Sequence, residues 1–318
     1  MNASAHPHAT NAVTLDARAP ERFDFEAIGT SWQIETPAGS PLPEPLRQAV
    51  AERIERFDAA YSRFRPDSLV ASLAREPGSV EFPDDSLVLF SLYDRLVTAT
   101  SGAVDPLVGR SLELLGYDAA YSLTPSQPSP LEQRVQDERG RASWFADVHR
   151  DGRVVSTTRP VVIDVGAAGK GYLVDLVSAL LVEHGVTEFV VDGSGDLRHQ
   201  GPADATPVRI GLEHPFQPGK AIGVATLANA SLCASASNRR AWGDGHHHIL
   251  DARTGSPARE VVATWVVAAE TAVADGLATA LFFTGAHELA KTFHFSSVRM
   301  YADGRAERSR DFPGELFS

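Results

Sequence analysis

The chain has 318 residues, 43% of them apolar and 22% charged, and carries a formal net charge of −12 at pH 7. That length can bury a large core, as one big domain or two smaller ones, and this composition excludes both global disorder and a membrane protein. The negative charge argues against nucleic acid or an anionic membrane as a general partner, because long-range attraction to phosphate needs clustered Lys and Arg, so any phosphate must be handled locally.

Residues 1–22 are polar, rich in His and Ala, and lack a basic start, an apolar run or a lipid-attachment cysteine. They read as a disordered tail, leaving 23–318 as one folded domain. No run of eighteen apolar residues suggests a transmembrane helix. The single cysteine, Cys233, excludes a disulfide framework and cannot alone build a thiolate metal site, so a soluble cytoplasmic protein is expected. From Phe23 to Ile34 the partial alternation predicts a strand bent at Gly29. Leu46, Val50, Ile54, Phe57 and Tyr61 then recur at helical spacing. A second helix runs from about Ser86 to Thr100, with Leu89, Leu92, Leu96 and Val97 inward and Gly102 as its stop. The turn-rich region Tyr121 to Gln136 reads as an insertion or mobile surface loop in which no function is placed. Val161–Val165 is a short apolar run expected to form a buried strand. Gly166–Gly171 then turns into a helix through Leu173, Leu176, Val177 and Leu180, which Gly185 ends. Phe189–Asp192 gives another strand before Gly193-Ser194-Gly195-Asp196. Glycines at both strand ends allow a backbone to approach a phosphate or ribose closely.

Two nucleotide motifs fail against these loops. A P-loop would need Gly where Asp164 stands and Ser or Thr where Gly171 stands. The stretch Gly193-Ser194-Gly195-Asp196-Leu197-Arg198 lacks the third glycine of a dinucleotide fingerprint and runs into Pro202, which does not suit a helix. More informative is His247-His248-Ile249-Leu250-Asp251-Ala252-Arg253-Thr254-Gly255, followed by Ala274-Asp275-Gly276-Leu277-Ala278-Thr279. An imidazole at a strand-to-turn junction, with Asp275 and Thr279 four apart on one helix face, sets a proton carrier beside hard oxygen ligands. That combination points to magnesium-assisted phosphate chemistry; the plain alternative is a helix-surface Asp and a self-capping Thr. Zinc held by His246, His247 and His248 is excluded because consecutive strand residues face opposite ways. A solvated turn is expected for His246 and His247.

Together these residues resemble the ApbE-type FAD:protein FMN transferases, from about Ile28 to Gly285. Ile28-Gly29-Thr30 is similar to the family's Met-Gly-Thr strand, and Tyr61-Ser62-Arg63-Phe64-Arg65-Pro66-Asp67-Ser68 to its Ser-Thr-Tyr-x-x-x-Ser turn. Thr100-Ser101-Gly102-Ala103-Val104-Asp105-Pro106-Leu107-Val108-Gly109 resembles Thr-x-Gly-Ala-Phe-Asp-Pro-Thr-Val-Gly, with Leu115-Gly116-Tyr117 after it. Asp164 to Asp175 is similar to Asp-Leu-Gly-Gly-Ile-Ala-Lys-Gly-Tyr-Ala-Val-Asp, and the His248 and Asp275 blocks complete the set. Ala252 replaces the usual Pro of Asp-Pro-x-Thr-Gly, Phe64 a common Tyr, and the stretches 192–196 and 234–239 also depart from the pattern. None of these changes removes a residue assigned to metal or proton transfer.

The resemblance implies an α+β fold: a single large domain with mixed or antiparallel sheets, flanking helices and a flavin cleft between two halves. It implies Mg²⁺ held by the side chains of Asp275 and Thr279 and the main-chain oxygen of Ala167. His248 is implied as the base or as the contact to the transferred phosphate, so that His248 and Asp275 form the catalytic pair. Ile28 and Phe64 would line the flavin, Lys170 would lie near flavin or phosphate, and Asp164 near the adenine side. For Lys170 and Asp164 a strand-end ion pair is the alternative. Ala103, Val104 and Asp105 would meet flavin or adenosine, or simply form a helix-terminating turn. Arg239, Arg240 and Trp242 form either a surface cluster or a contact for the acceptor. The implied activity is transfer of FMN from FAD to a Thr or Ser of an acceptor protein, with release of AMP. A FAD pyrophosphatase giving FMN and AMP would use the same residues, and a non-catalytic FAD-binding flavoprotein is the third alternative.

Overall fold

The computed structural model describes residues 19–243 and 245–317, so most of the expected N-terminal tail lies outside the described residues. Order begins at once with β1 (Glu21–Ala27), which pairs antiparallel with β2 (Thr30–Thr36). The segment expected as one bent strand is therefore a hairpin. Its two linking residues, Ile28 and Gly29, have φ of 45° and 74°, the left-handed pair that matches the twist of a tight hairpin. Alternation survives the correction, since Trp32 and Ile34 are buried.

Six further strands extend this hairpin into one antiparallel sheet. They are β3 (Phe189–Asp192), β4 (Asp196–Gln200), β5 (Ser231–Ala236), β6 (Val261–Ala268), β7 (Ser296–Tyr301) and β8 (Ala306–Arg308), adjacent in chain order. All eight residues of β6 are buried because both faces are covered. Ile34, Val191, Cys233, Val266 and Ala268 face a core shared with the helices. Leu232, Ala263, Trp265, Val267 and Met300 pack on the other face, against a three-stranded sheet of Val208–Glu213, Ala221–Leu227 and Gly314–Leu316.

Four helices build the first face. α1 (Glu44–Tyr61) buries Leu46, Val50, Ile54, Phe57 and Tyr61, and α2 (Ser86–Ala99) buries Leu89, Leu92, Tyr93, Leu96 and Val97, as the periodicity requires. α3 (Gly169–Glu183) ends before Gly185, whose φ is 81°. α4 (Thr271–Ala280) is buried at eight of its ten positions, Asp275 included. Asp175 of α3 fixes where α4 starts, its two oxygens accepting from Thr271 N and Ala272 N at 2.8 Å each. The two helices nearly touch at Gly171: a Cβ there would lie 2.4 Å from the Thr271 carbonyl oxygen and 2.7 Å from Asp275 Cβ. Only glycine permits that approach.

Two expectations change. Val161–Val165 forms no strand, although Val161, Ile163 and Val165 are buried. Its donors go to separate loops, Val161 N to Leu73 O and Asp164 N to Pro106 O, so no ladder forms. The region Tyr121 to Gln136 is not all loop: a helix spans Pro130–Arg139, started by a reciprocal Ser129 and Glu132 cap. No described helix is long and apolar enough to cross a membrane.

Candidate active site

The inner end of the site is a buried charge cluster between α3, α4 and the β3–β4 turn. Asp275 is 5% exposed, and its Oδ2 accepts from Gly171 N at 2.9 Å. Lys170 Nζ donates to Gly193 O at 2.6 Å and lies 2.7 Å from Oδ2 of Asp196, itself 1% exposed. Burial works against the Lys170 ammonium, but the Asp196 and Asp275 carboxylates outweigh it and hold its pKa above the ordinary lysine value. Burial and the Asp196 charge push the Asp275 carboxyl well above the carboxylate range, against the pull of Lys170. Two carboxylates thus share one ammonium, which leaves a buried site that would welcome a cation.

The turn before α3 supplies what a hard cation needs. Gly171 N donates to Asp275 rather than back to Ala167 O, which accepts no hydrogen bond among the described residues. A Cβ at Gly276 would lie 3.5 Å from Ala168 Cβ, so the Ala167–Ala168 turn rests on α4 beside Asp275. One helical turn on, the Thr279 side chain is only partly buried and has no hydrogen-bond partner among the described residues. A carboxylate, a hydroxyl and a free main-chain oxygen fit Mg²⁺, which takes few protein ligands and keeps waters. Among the described residues no three His, Cys, Asp or Glu side chains are placed together to hold a metal.

His248 faces this region from the loop after a two-residue strand, His246–His247. Its ring is half-buried, with Nδ1 fully buried and unpartnered. Burial, then the charges of Arg240 and His247, bring its pKa down to about 3, while the Arg240 carbonyl and Asp164 pull the other way. The imidazole is therefore neutral at neutral pH. His247 is not in a solvated turn, as expected, but 7% exposed, with Nε2 at 2.8 Å from Ala258 O and Nδ1 accepting from Ile249 N. Strand pairing with Ala241 turns it inward. Arg240 acts on both His248 and Asp275, and the Tyr93 hydroxyl senses both Asp164 and Asp275, so these groups share one neighbourhood.

The outer end is aromatic. Asp164 is in an ion pair with Arg63 Nε at 2.5 Å, and its other oxygen accepts from Gly166 N at 2.6 Å. The Arg63 guanidinium lies 4.2 Å from the Phe64 ring centroid and 5.0 Å from that of Tyr117. These rings line a cavity of about 490 Å³ with Ile28, Tyr121, Leu123 and Arg240. Trp242 backs it, stacked on Tyr117 at 5.7 Å, with Nε1 donating to Leu115 O at 2.9 Å.

The ApbE family model matches residues 28–301. The chain belongs to the ApbE family. A FAD:protein FMN transferase of Rhodobacter capsulatus is 29% identical over 85% of this chain, which spans about half, 53%, of that protein's length. One of Treponema pallidum is 26% identical over 81% of this chain and 77% of its own. An ApbE protein of Thermotoga maritima has a similar structure, with a TM-score of 0.80 at 26% identity over 93% of this chain and all of that one. The flavin transferase ApbE of Vibrio cholerae has a TM-score of 0.76 at 22% identity over 92% of this chain and 98% of its own, which supports the α+β fold.

Several ApbE blocks act here by holding others. Ala103 is fully buried and its carbonyl accepts from Ala252 N at 3.0 Å; Val104 is 4% exposed. Both oxygens of Asp105 are taken, by Leu107 N and Trp144 N at 2.8 Å each. These two bonds build the turn that was the alternative reading of Asp105. Lys170 donates to the β3–β4 turn and pairs with Asp196, the ion pair that was its alternative reading. Arg239 pairs with Glu213 at the surface, whereas Arg240 lines the cavity. Sequence reasoning gave no role to Arg63, Asp175, Asp196 or Tyr93, although Arg63, Asp175 and Asp196 stand inside blocks it quoted. Tyr121 lies in the stretch where the sequence places no function.

Proposed function

We propose that this ApbE chain cleaves FAD and transfers its FMN half to a Thr or Ser hydroxyl of an acceptor protein, releasing AMP, with Mg²⁺ as cofactor. The reading is supported most by the unbonded Ala167 carbonyl, created because Gly171 N donates to Asp275 instead, beside the buried carboxyl groups of Asp275 and Asp196 that share one ammonium. The names of the relatives point the same way. Mg²⁺, held by Asp275, Thr279 and Ala167, would neutralise phosphoryl charge when bound. The acceptor oxygen bonds to the phosphorus that carries riboflavin, and the bond from that phosphorus to the AMP phosphate breaks, its electron pair leaving with AMP. The hydroxyl proton goes to His248, at Nε2, since Nδ1 is buried. An imidazole held neutral far below pH 7 gains basicity from the negative charge that develops beside it. Phe64 and Tyr117 help line the aromatic cavity that a planar ring would enter, and Asp196 and Lys170 keep Asp275 in place.

The test is chromatography of FAD incubated with the protein and a Thr-bearing acceptor peptide, with Mg²⁺ or with EDTA. AMP formed only with Mg²⁺, with FMN mass gained by the peptide, is the expected result. AMP with free FMN would replace the acceptor by water, and intact FAD in both conditions would overturn the enzymatic reading.

A further inference from the structure

The stretch between Tyr117 and Thr124 has no periodicity, yet it is firmly held. Leu123 N donates to Gly116 O and Ser126 N to Leu114 O at 2.8 Å each, and Asp118 Oδ1 accepts from Ala120 N and Ser122 N. Held this way, Tyr121 and Leu123 both have φ of 50°, a region that bulky side chains adopt only when their surroundings impose it. The strained backbone sets the Tyr121 ring 5.2 Å from the Phe64 ring, 7° from parallel, with Tyr117 edge-on at 5.5 Å. Tyr121 is nevertheless 52% exposed and Leu123 45%, and both line the 490 Å³ cavity. The buried cluster beneath is Leu112, Tyr117, Trp242 and Leu250. Tyr121 is not part of that core, and about half of its surface is open to solvent.

We propose that Tyr121 is a specificity-determining residue whose ring stacks on the isoalloxazine of the bound flavin, with Leu123 closing the cavity edge beside it. This rests on the FMN-transfer reading. The choice of ring follows from how the products leave. AMP departs alone, but the FMN half departs joined to a protein, so it must occupy the part of the site that is open. Tyr121 and Leu123 form that open wall, and the exposed Arg240 stands on the same cavity, 6.0 Å from the Tyr117 centroid, where its cation suits an electron-rich flavin edge.

The experiment is titration of the full chain with FMN, followed by flavin fluorescence, and with ADP by calorimetry, for wild type, Tyr121→Phe and Tyr121→Gly. Glycine accepts the left-handed backbone without strain, so the loop keeps its path while the ring is removed. Tyr121→Gly should weaken FMN about tenfold and leave ADP unchanged, and Tyr121→Phe should bind FMN like wild type. Equal FMN affinity in Tyr121→Gly and wild type would overturn the proposal while leaving FMN transfer standing. Equal weakening of FMN and ADP, with a lowered Tm, would make Tyr121 a structural residue and overturn it too. If wild type bound neither FMN nor FAD, the functional reading would fail first.

Discussion

The α3–α4 junction and the aromatic cavity serve one site by opposite constructions. At the junction, main chain meets main chain: Gly171 lies against the Thr271 carbonyl, Asp175 holds the start of α4, and the charged groups are buried. At the cavity, long side chains meet across loops, Tyr121 and Leu123 are half exposed, and the backbone beneath them is strained rather than close-packed. A cation site needs ligands fixed to fractions of an ångström, and two packed helices supply that. A ring that enters and leaves needs a wall that can be uncovered, and a loop supplies that.

Substitutions at the two ends should separate these roles. The largest effect is expected from Asp275→Ala, which should abolish Mg²⁺-dependent AMP formation while the chain still folds, since a buried, unevenly compensated carboxylate contributes little to stability; retained activity would remove Asp275 from the metal site. His248→Ala should keep FAD binding but slow transfer by roughly a hundredfold, as for other general bases, and an unchanged rate would make His248 structural. Gly171→Ala tests packing: the added methyl meets backbone that cannot yield, so a loss of about 1–3 kcal/mol is expected, read as a Tm lower by several degrees. An unchanged Tm would show that α3 can move away from α4. Tyr121→Gly, at the other end, should leave Tm unchanged or slightly raised.

A further expected effect is on acid stability. Burial lowers the pKa of His248 to about 3 and also lowers those of His199 and His247. At these three histidines the folded chain binds fewer protons than the unfolded chain below the ordinary histidine value near 6.5, so their contribution to stability falls as pH drops, while the raised carboxyl of Asp275 works the opposite way. In melting curves from pH 7 to pH 4, His248→Gln should lose less stability, or gain more, than wild type as pH drops; parallel curves for the two proteins would remove His248 from this dependence.

The helices were legible because Leu46, Val50, Ile54, Phe57 and Tyr61 repeat at the period of a helix that buries one face, and all five are buried. The junction was legible as a motif, since Asp275 and Thr279 are one turn apart whatever surrounds them. Its counter-charges were not, because Asp196 meets Lys170 only through the antiparallel pairing of β3 with β4. Val161–Val165 has a strand's composition, but strand identity depends on a partner, and its donors go to Leu73 and Pro106 instead. Ile28-Gly29 was read as a bend because the second strand of a hairpin continues the same alternation. Tyr121 escaped notice for a related reason: its meaning lies in the Phe64 ring, 57 positions earlier in the chain, and no local pattern records that contact.

The central claim is that Asp275, Thr279 and Ala167 hold a hard cation beside His248. Its most direct test is titration with Mn²⁺ in place of Mg²⁺, followed by electron paramagnetic resonance in the presence of FAD, for wild type, His248→Ala and Asp275→Ala. Wild type and His248→Ala should bind one Mn²⁺ with similar affinity and Asp275→Ala should not. Undiminished Mn²⁺ binding by Asp275→Ala would contradict the account.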